Sequence, residues 1–86
     1  MPYTVEIAPA AERQLRKLDT TVRRRIFVKL DSLKKNPRPP GVEKLWADEN
    51  LYRGRAGDYR IVYEIDDRIT RVLVLKVGDR KEIYKG

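Results

Sequence analysis

Arg53, Arg55 and Arg60 fall close together in the stretch Leu51 to Ile65, where the chain reads Leu-Tyr-Arg-Gly-Arg-Ala-Gly-Asp-Tyr-Arg-Ile-Val-Tyr-Glu-Ile. A guanidinium cannot act as a base at neutral pH. Its planar fork does grip a phosphate through two hydrogen bonds and neutralises charge that grows in a transition state. The chain has no histidine, so acid–base work must fall to Lys, Arg, Tyr, Asp or Glu. Other chemistries are weakly supported. Asp66 and Asp67 are adjacent, with no spaced set of carboxylates around them to hold a divalent metal. Ser32 is the lone serine and falls in a helical stretch, and no glycine-rich phosphate loop occurs. RNA, however, brings its own nucleophile, the 2′-hydroxyl. A protein that holds the phosphodiester in line and stabilises the pentacoordinate dianion can cut RNA without metal or histidine.

These arginines need a rigid support, and the pattern around them supplies one. Leu51 to Ile65 reads as two strands joined at Ala56-Gly57-Asp58. Side chains alternate faces along a strand, so Arg53 and Arg55 point one way with Gly54 on the other. If Arg55 sits opposite Arg60, Arg53 faces Val62, Leu51 faces Glu64, and all three guanidiniums share a face. A slip of one residue turns Arg60 away. Like charges side by side on a sheet cost stability unless an anion joins them. The plainer alternative is a solvated charged face.

The remaining elements follow from periodicity. Tyr3, Val5 and Ile7 alternate with polar residues, as in a short half-buried strand. Pro9 suits the first turn of a helix with Glu12 near its N-terminus, and Ala11, Leu15 and Leu18 keep helical spacing. Asp19-Thr20-Thr21 offers caps for a second helix, whose apolar stripe is Val22, Ile26, Leu30 and Leu33 with Phe27 beside it. Asn36-Pro37 predicts its end. Pro37 to Gly41 is a stiff loop, and Val42 to Asn50 shows no clear period. Trp46 in that connection could stack on a base or cap the edge of the core. A turn at Asp66-Asp67-Arg68 precedes a strand from Thr70 to Val77, which Gly78-Asp79-Arg80 would break. Val72 to Leu75 is apolar on both faces and suits a central position. Tyr59 and Tyr63 share a face and read as core, while Arg68 and Arg71 read as solvated.

The pattern β-α-α-β-β-β predicts an α+β fold: a small, mostly antiparallel four-stranded sheet with two helices on one face. The opposite face would be a shallow, partly open surface bearing the arginines. Eighty-six residues without a repeat or linker make a single domain, 1–86. Lysine and arginine number 20 against 13 acidic residues, a formal net charge of +7. That excess points to nucleic acid or an acidic protein as partner. Ten basic and two acidic residues lie between Arg13 and Arg38, so the helical hairpin carries the excess. Its basic face could dock on a nucleic-acid backbone or be solvated. The absence of cysteine, of an apolar run near 20 residues and of a signal-peptide pattern predicts a cytoplasmic protein away from membranes.

Four segments together resemble the RelE toxins of the RelE/ParE superfamily, whose fold is of the microbial RNase type. They are Tyr52-Arg53-Gly54-Arg55, Gly57 to Tyr63, Val77-Gly78-Asp79-Arg80 and Glu82-Ile83-Tyr84. The similarity spans nearly the whole chain, the Lys44-Leu45 pair included. It implies the toxin of a type II toxin–antitoxin system, an mRNA interferase that enters the ribosomal A site and cuts the codon there. The products would be a 2′,3′-cyclic phosphate and a 5′-hydroxyl, with no metal or cofactor. Carried over by resemblance, Arg60 stabilises the transition state and Arg80 assists the leaving 5′-oxygen. Arg53 and Arg55 hold the phosphate and favour loss of the 2′-hydroxyl proton, and Tyr84 stacks on the base. Relatives often carry lysines where Arg53 and Arg55 stand, and a basic residue or histidine where Asp79 stands. The implied partners are a RelB-like antitoxin, in a toxin–antitoxin heterotetramer, and the ribosome with its mRNA. A ParE-like, non-enzymatic gyrase poison and a basic RNA-binding module without cleavage are the rival readings.

Overall fold

Where the chain can cap, turn and alternate decides its elements. The computed structural model describes residues 2–45 and 50–79. Strand β1 is Thr4–Ile7, helix α1 is Pro9–Arg16 and helix α2 is Thr20–Leu33. Pro9 opens α1, where the missing N–H has no partner to lose. The Asp19 carboxylate caps α2 by accepting from the Val22 N–H at 2.9 Å. Arg23 then folds back from α2 onto the end of α1, donating to the carbonyls of Leu15 at 3.2 Å and Leu18 at 2.8 Å. The Leu15 carbonyl also accepts from the Leu18 N–H, so Arg23 adds a second donor there and ties the turn between the helices to α2. Helix α2 ends three residues before the Asn36-Pro37 stop; the N–H groups of Lys34, Lys35 and Asn36 tighten onto Asp31 and Ser32 instead.

Four further strands follow: β2 Glu43–Lys44, β3 Leu51–Ala56, β4 Tyr59–Asp66 and β5 Arg71–Asp79. The sheet order is β1-β5-β4-β3-β2. It therefore has five strands rather than four, because Glu43 and Lys44 pair with Arg53 and Tyr52 in a stretch without periodicity of its own. β1 runs parallel to β5 and the other pairings are antiparallel. β5, with neighbours on both sides, occupies the central place that its apolar run predicts.

Ala11 and Leu15 of α1 and Ile26, Leu30 and Leu33 of α2 bury against Ile61, Tyr63, Ile65, Val72, Val74 and Val77 of the sheet. Both helices thus cover one face. Tyr63 is fully buried and Tyr59 packs against the core, as their shared face predicts. Phe27 stays 44% exposed. Arg71 is half-buried and pairs with Glu6 at 3.5 Å, whereas Arg68 is solvent-facing.

β5 runs on through Gly78 and Asp79, past the break expected there. Tyr63 pairs with Val74 but Val62 pairs with Lys76, so Leu75 is an extra residue, a β-bulge. Its effect is large for one residue. Without it Val74 and Val77 would face opposite sides; with it both enter the core, and Lys76 and Gly78 turn to the other face.

Candidate functional site

The β3–β4 hairpin decides which arginines meet. Its turn has two residues, Gly57 and Asp58, and Gly57 has φ +64°, a value that favours glycine at the first position of a II′ turn. That turn sets Ala56 opposite Tyr59, then Arg55 opposite Arg60, Arg53 opposite Val62 and Leu51 opposite Glu64. This is the register that places three guanidiniums on one face.

Gly54, on the other face, lies near the Tyr63 ring, Val42 and the Lys29 side chain of α2. The arginine face is therefore the one away from the helices. On β5 the residue beside Arg60 is Gly78, which the Leu75 bulge has turned outward. Arg60 is 8% exposed, and Val62 equally little. This part of the sheet is accordingly less open than the alternation pattern predicts.

Arg53, Arg55 and Arg60 line one cavity of about 150 Å³ together with Gly41, Gly54 and Glu43. Glu43 enters because β2 pairs it directly with Arg53. Arg53 donates a hydrogen bond to the Glu43 carboxylate. Among the described lining residues, three cations stand against one carboxylate, a positive excess suited to an anion. Arg80 and Tyr84, and Trp46, lie outside the described residues. Glu43 is the site residue that sequence reasoning passed over, since it sits in a stretch without a pattern. Its one signal was proximity to the Lys44-Leu45 pair.

A second cluster was also missed. Arg38, in the loop before β2, donates to both carboxylate oxygens of Asp67 at 3.1 and 2.8 Å and to the Tyr52 hydroxyl at 3.0 Å. Its guanidinium lies 5.2 Å from the centre of the Tyr52 ring, which stacks on Tyr63. Tyr3 donates to Asp67 at 2.6 Å, and Tyr63 donates to the Pro37 carbonyl at 2.8 Å. The Arg38 and Tyr3 hydrogen bonds hold the Asp67 carboxyl below the usual carboxylate range. Burial, foremost, pushes the Tyr63 phenol up. This clasp ties the 37–41 loop, and with it β2, to the sheet.

On the helix side, Arg24, Arg25 and Lys29 line a larger hollow of about 580 Å³ beside Gly57. It gathers part of the basic excess of the helical hairpin, well apart from the Arg60 face.

Comparison with known proteins turns this geometry into a family. Residues 5–84 match the family model of the ParE toxin of type II toxin–antitoxin systems, parDE. Toxin RelG of Mycobacterium tuberculosis is 33% identical over 86 residues, covering 99% of each chain. The chain belongs to the RelE family of toxins. It is thus a toxin of the type II toxin–antitoxin class. The mRNA interferase toxin RelE of Escherichia coli is 33% identical over 88 residues, covering 98% of this chain and 92% of that relative. The crystal structure of the archaeal RelE–RelB complex from Pyrococcus horikoshii superposes with a TM-score of 0.83 at 32% identity, over 93% of this chain and 97% of that one. Across this RelE-family fold, no helix among the described residues is long and apolar enough to cross a membrane.

Proposed function

We propose that this toxin is a metal-independent endoribonuclease that cuts mRNA in the ribosomal A site by attack of the 2′-hydroxyl on the adjacent phosphodiester. The observation that carries this reading is the cross-strand pair Arg55–Arg60, with Arg53 on the same face and all three lining one cavity. Such a concentration of positive charge on a rigid sheet is costly unless an anion completes it. Arg60, held between Arg55 and Gly78, donates to the oxygens of the pentacoordinate phosphorus as their charge grows. Arg53 and Arg55 grip the phosphate. Arg80 beside the leaving 5′-oxygen and Tyr84 against the base are the roles that family resemblance adds. The ribosome supplies alignment that a cavity this small does not.

A RelB-like antitoxin is the partner we infer, by analogy with the complex from Pyrococcus horikoshii. The excess of basic residues on α1 and α2 suits an acidic wrapping peptide, and a toxin–antitoxin heterotetramer is the assembly in view. The match to the ParE toxin family favours one second reading, a gyrase poison without nuclease activity. Primer extension on a highly translated message after induction in a bacterium separates the two. Cuts at A-site codons are expected from the wild-type protein; uncut message with accumulating double-strand DNA breaks would establish the rival.

A further inference from the structure

We propose that Arg38 and Asp67 are positioning residues for the arginine cavity. Their clasp, made on the helix side of the sheet, holds the cavity wall on the opposite side and so sets how tightly the cavity takes an anion. The proposal rests on the anion-binding part of the reading above and not on cleavage.

The need for a clasp begins with a weak edge. β2 has two residues and stands last in the sheet order, yet Gly41 and Glu43 line the cavity beside Arg53 and Arg60. So short an edge strand makes few ladder hydrogen bonds to hold its own place. Its other support is the loop that leads into it.

That loop is built as a stiff arm. Pro37, Pro39 and Pro40 fix their own φ angles. The Val42 N–H donates to the Pro39 carbonyl at 3.2 Å, closing a turn with Pro40 second and Gly41 third. Gly41 has φ +92°, as the third position of a type II turn requires. The near end of the arm is pinned twice. The buried Tyr63 hydroxyl donates to the Pro37 carbonyl, and Arg38 donates to both oxygens of Asp67 and to the Tyr52 hydroxyl. Tyr52 stacks on Tyr63 and so lies on the helix side of β3, whereas its neighbour Arg53 lines the cavity. A shift of Arg38 therefore passes along the arm to Gly41, from one side of the sheet to the other.

Stability is not what this clasp chiefly supplies. The Arg38 and Asp67 side chains are 41% and 57% exposed, and ion pairs so exposed contribute little to global stability. What it supplies is order at the cavity. Guanidiniums attract an anion more strongly where a wall limits water, and a wall already in place adds no ordering cost on binding.

The test uses inorganic phosphate as the probe, titrated into the whole protein at constant ionic strength. Binding is read by NMR from the Gly41 and Gly54 N–H groups, and its loss in Arg60→Ala locates the phosphate in the cavity. Arg38→Met and Asp67→Asn change the net charge in opposite directions. A long-range field would weaken binding in the first and tighten it in the second. Lost positioning weakens it in both, by roughly 2–30-fold. The double variant should bind as weakly as either single one, because each alone already opens the clasp. Arg38→Lys, the gentler change, keeps the charge without the fork and should fall between. Urea midpoints measured alongside should fall only slightly. Opposite shifts, unchanged affinity or tighter binding in both variants would each overturn the assignment. So would a loss of affinity that merely follows a loss of folded protein. Wild type that takes up no phosphate overturns the proposal together with the anion-site reading, whereas uncut message bears on cleavage alone.

Discussion

Arg55 stands directly across the β3–β4 ladder from Arg60, a like-charge pair imposed by a two-residue turn. A sheet selected for stability alone would place opposite charges or a β-branched pair there. Replacing Arg55 by Gln should therefore stabilise the fold, by roughly 0.2–1 kcal/mol at low salt. The gain should shrink in high salt, where the repulsion is already screened. Urea unfolding at two ionic strengths measures both. An unchanged or lowered midpoint would mean that Arg55 is held by attractive contacts instead.

Arg60 is the buried member of the pair. Arg60→Ala should lower cleavage of ribosome-bound message by on the order of 10²–10³. Arg60→Lys should recover little, because an ammonium lacks the bidentate fork. Cut yield at a mapped codon, against a circular dichroism spectrum confirming the fold, is the check.

Asp67 makes part of the stability pH-dependent. Arg38 and Tyr3 lower its folded-state pKa. Its contribution is thus present above the ordinary carboxylate range and is lost as pH falls through the lowered folded-state value. Asp67→Asn should flatten that acid limb. The comparison is of unfolding midpoints for the two proteins from neutral to acidic pH; parallel curves would remove Asp67 from the account.

Tyr63 acts at the other end of the scale. Burial raises its folded-state pKa, so its contribution is intact below the ordinary tyrosine value and is lost as pH rises toward the folded one. Tyr63→Phe should lose less stability on alkalisation. At neutral pH it should cost about 1–3 kcal/mol, since the Pro37 carbonyl is left without its donor. Thermal melts at neutral and alkaline pH give both quantities.

The hairpin was legible because its information is local. The glycine-bearing turn and the alternation of Leu51, Arg53 and Arg55 gave the two strands, but left the register between two alternatives; the two-residue Gly57-Asp58 turn decides it. The Asp19 cap and the apolar stripe of α2 are equally short-range. What escaped depends on partners far away in the chain. Glu43 and Lys44 form a strand because β3 offers them an edge, and nothing in their own types announces it. The Leu75 bulge is set by the need to bring Val74 and Val77 together into the core. Arg38 and Asp67 were two ordinary charges until the loop and the β4–β5 turn came within hydrogen-bond reach.

The parallel seam between β1 and β5 joins the earliest strand to the latest, Thr4 lying against Arg71. Such a contact closes slowly and only after everything between has been made. During synthesis, Val72, Val74 and Val77 are the last pieces of the core among the described residues to emerge from the exit tunnel. Gly78, the cross-strand neighbour of Arg60, arrives with them. Chains halted before Arg71 should be digested readily by a protease. Under the cleavage reading, a toxin assembled in this order is unarmed until β5 has emerged and paired.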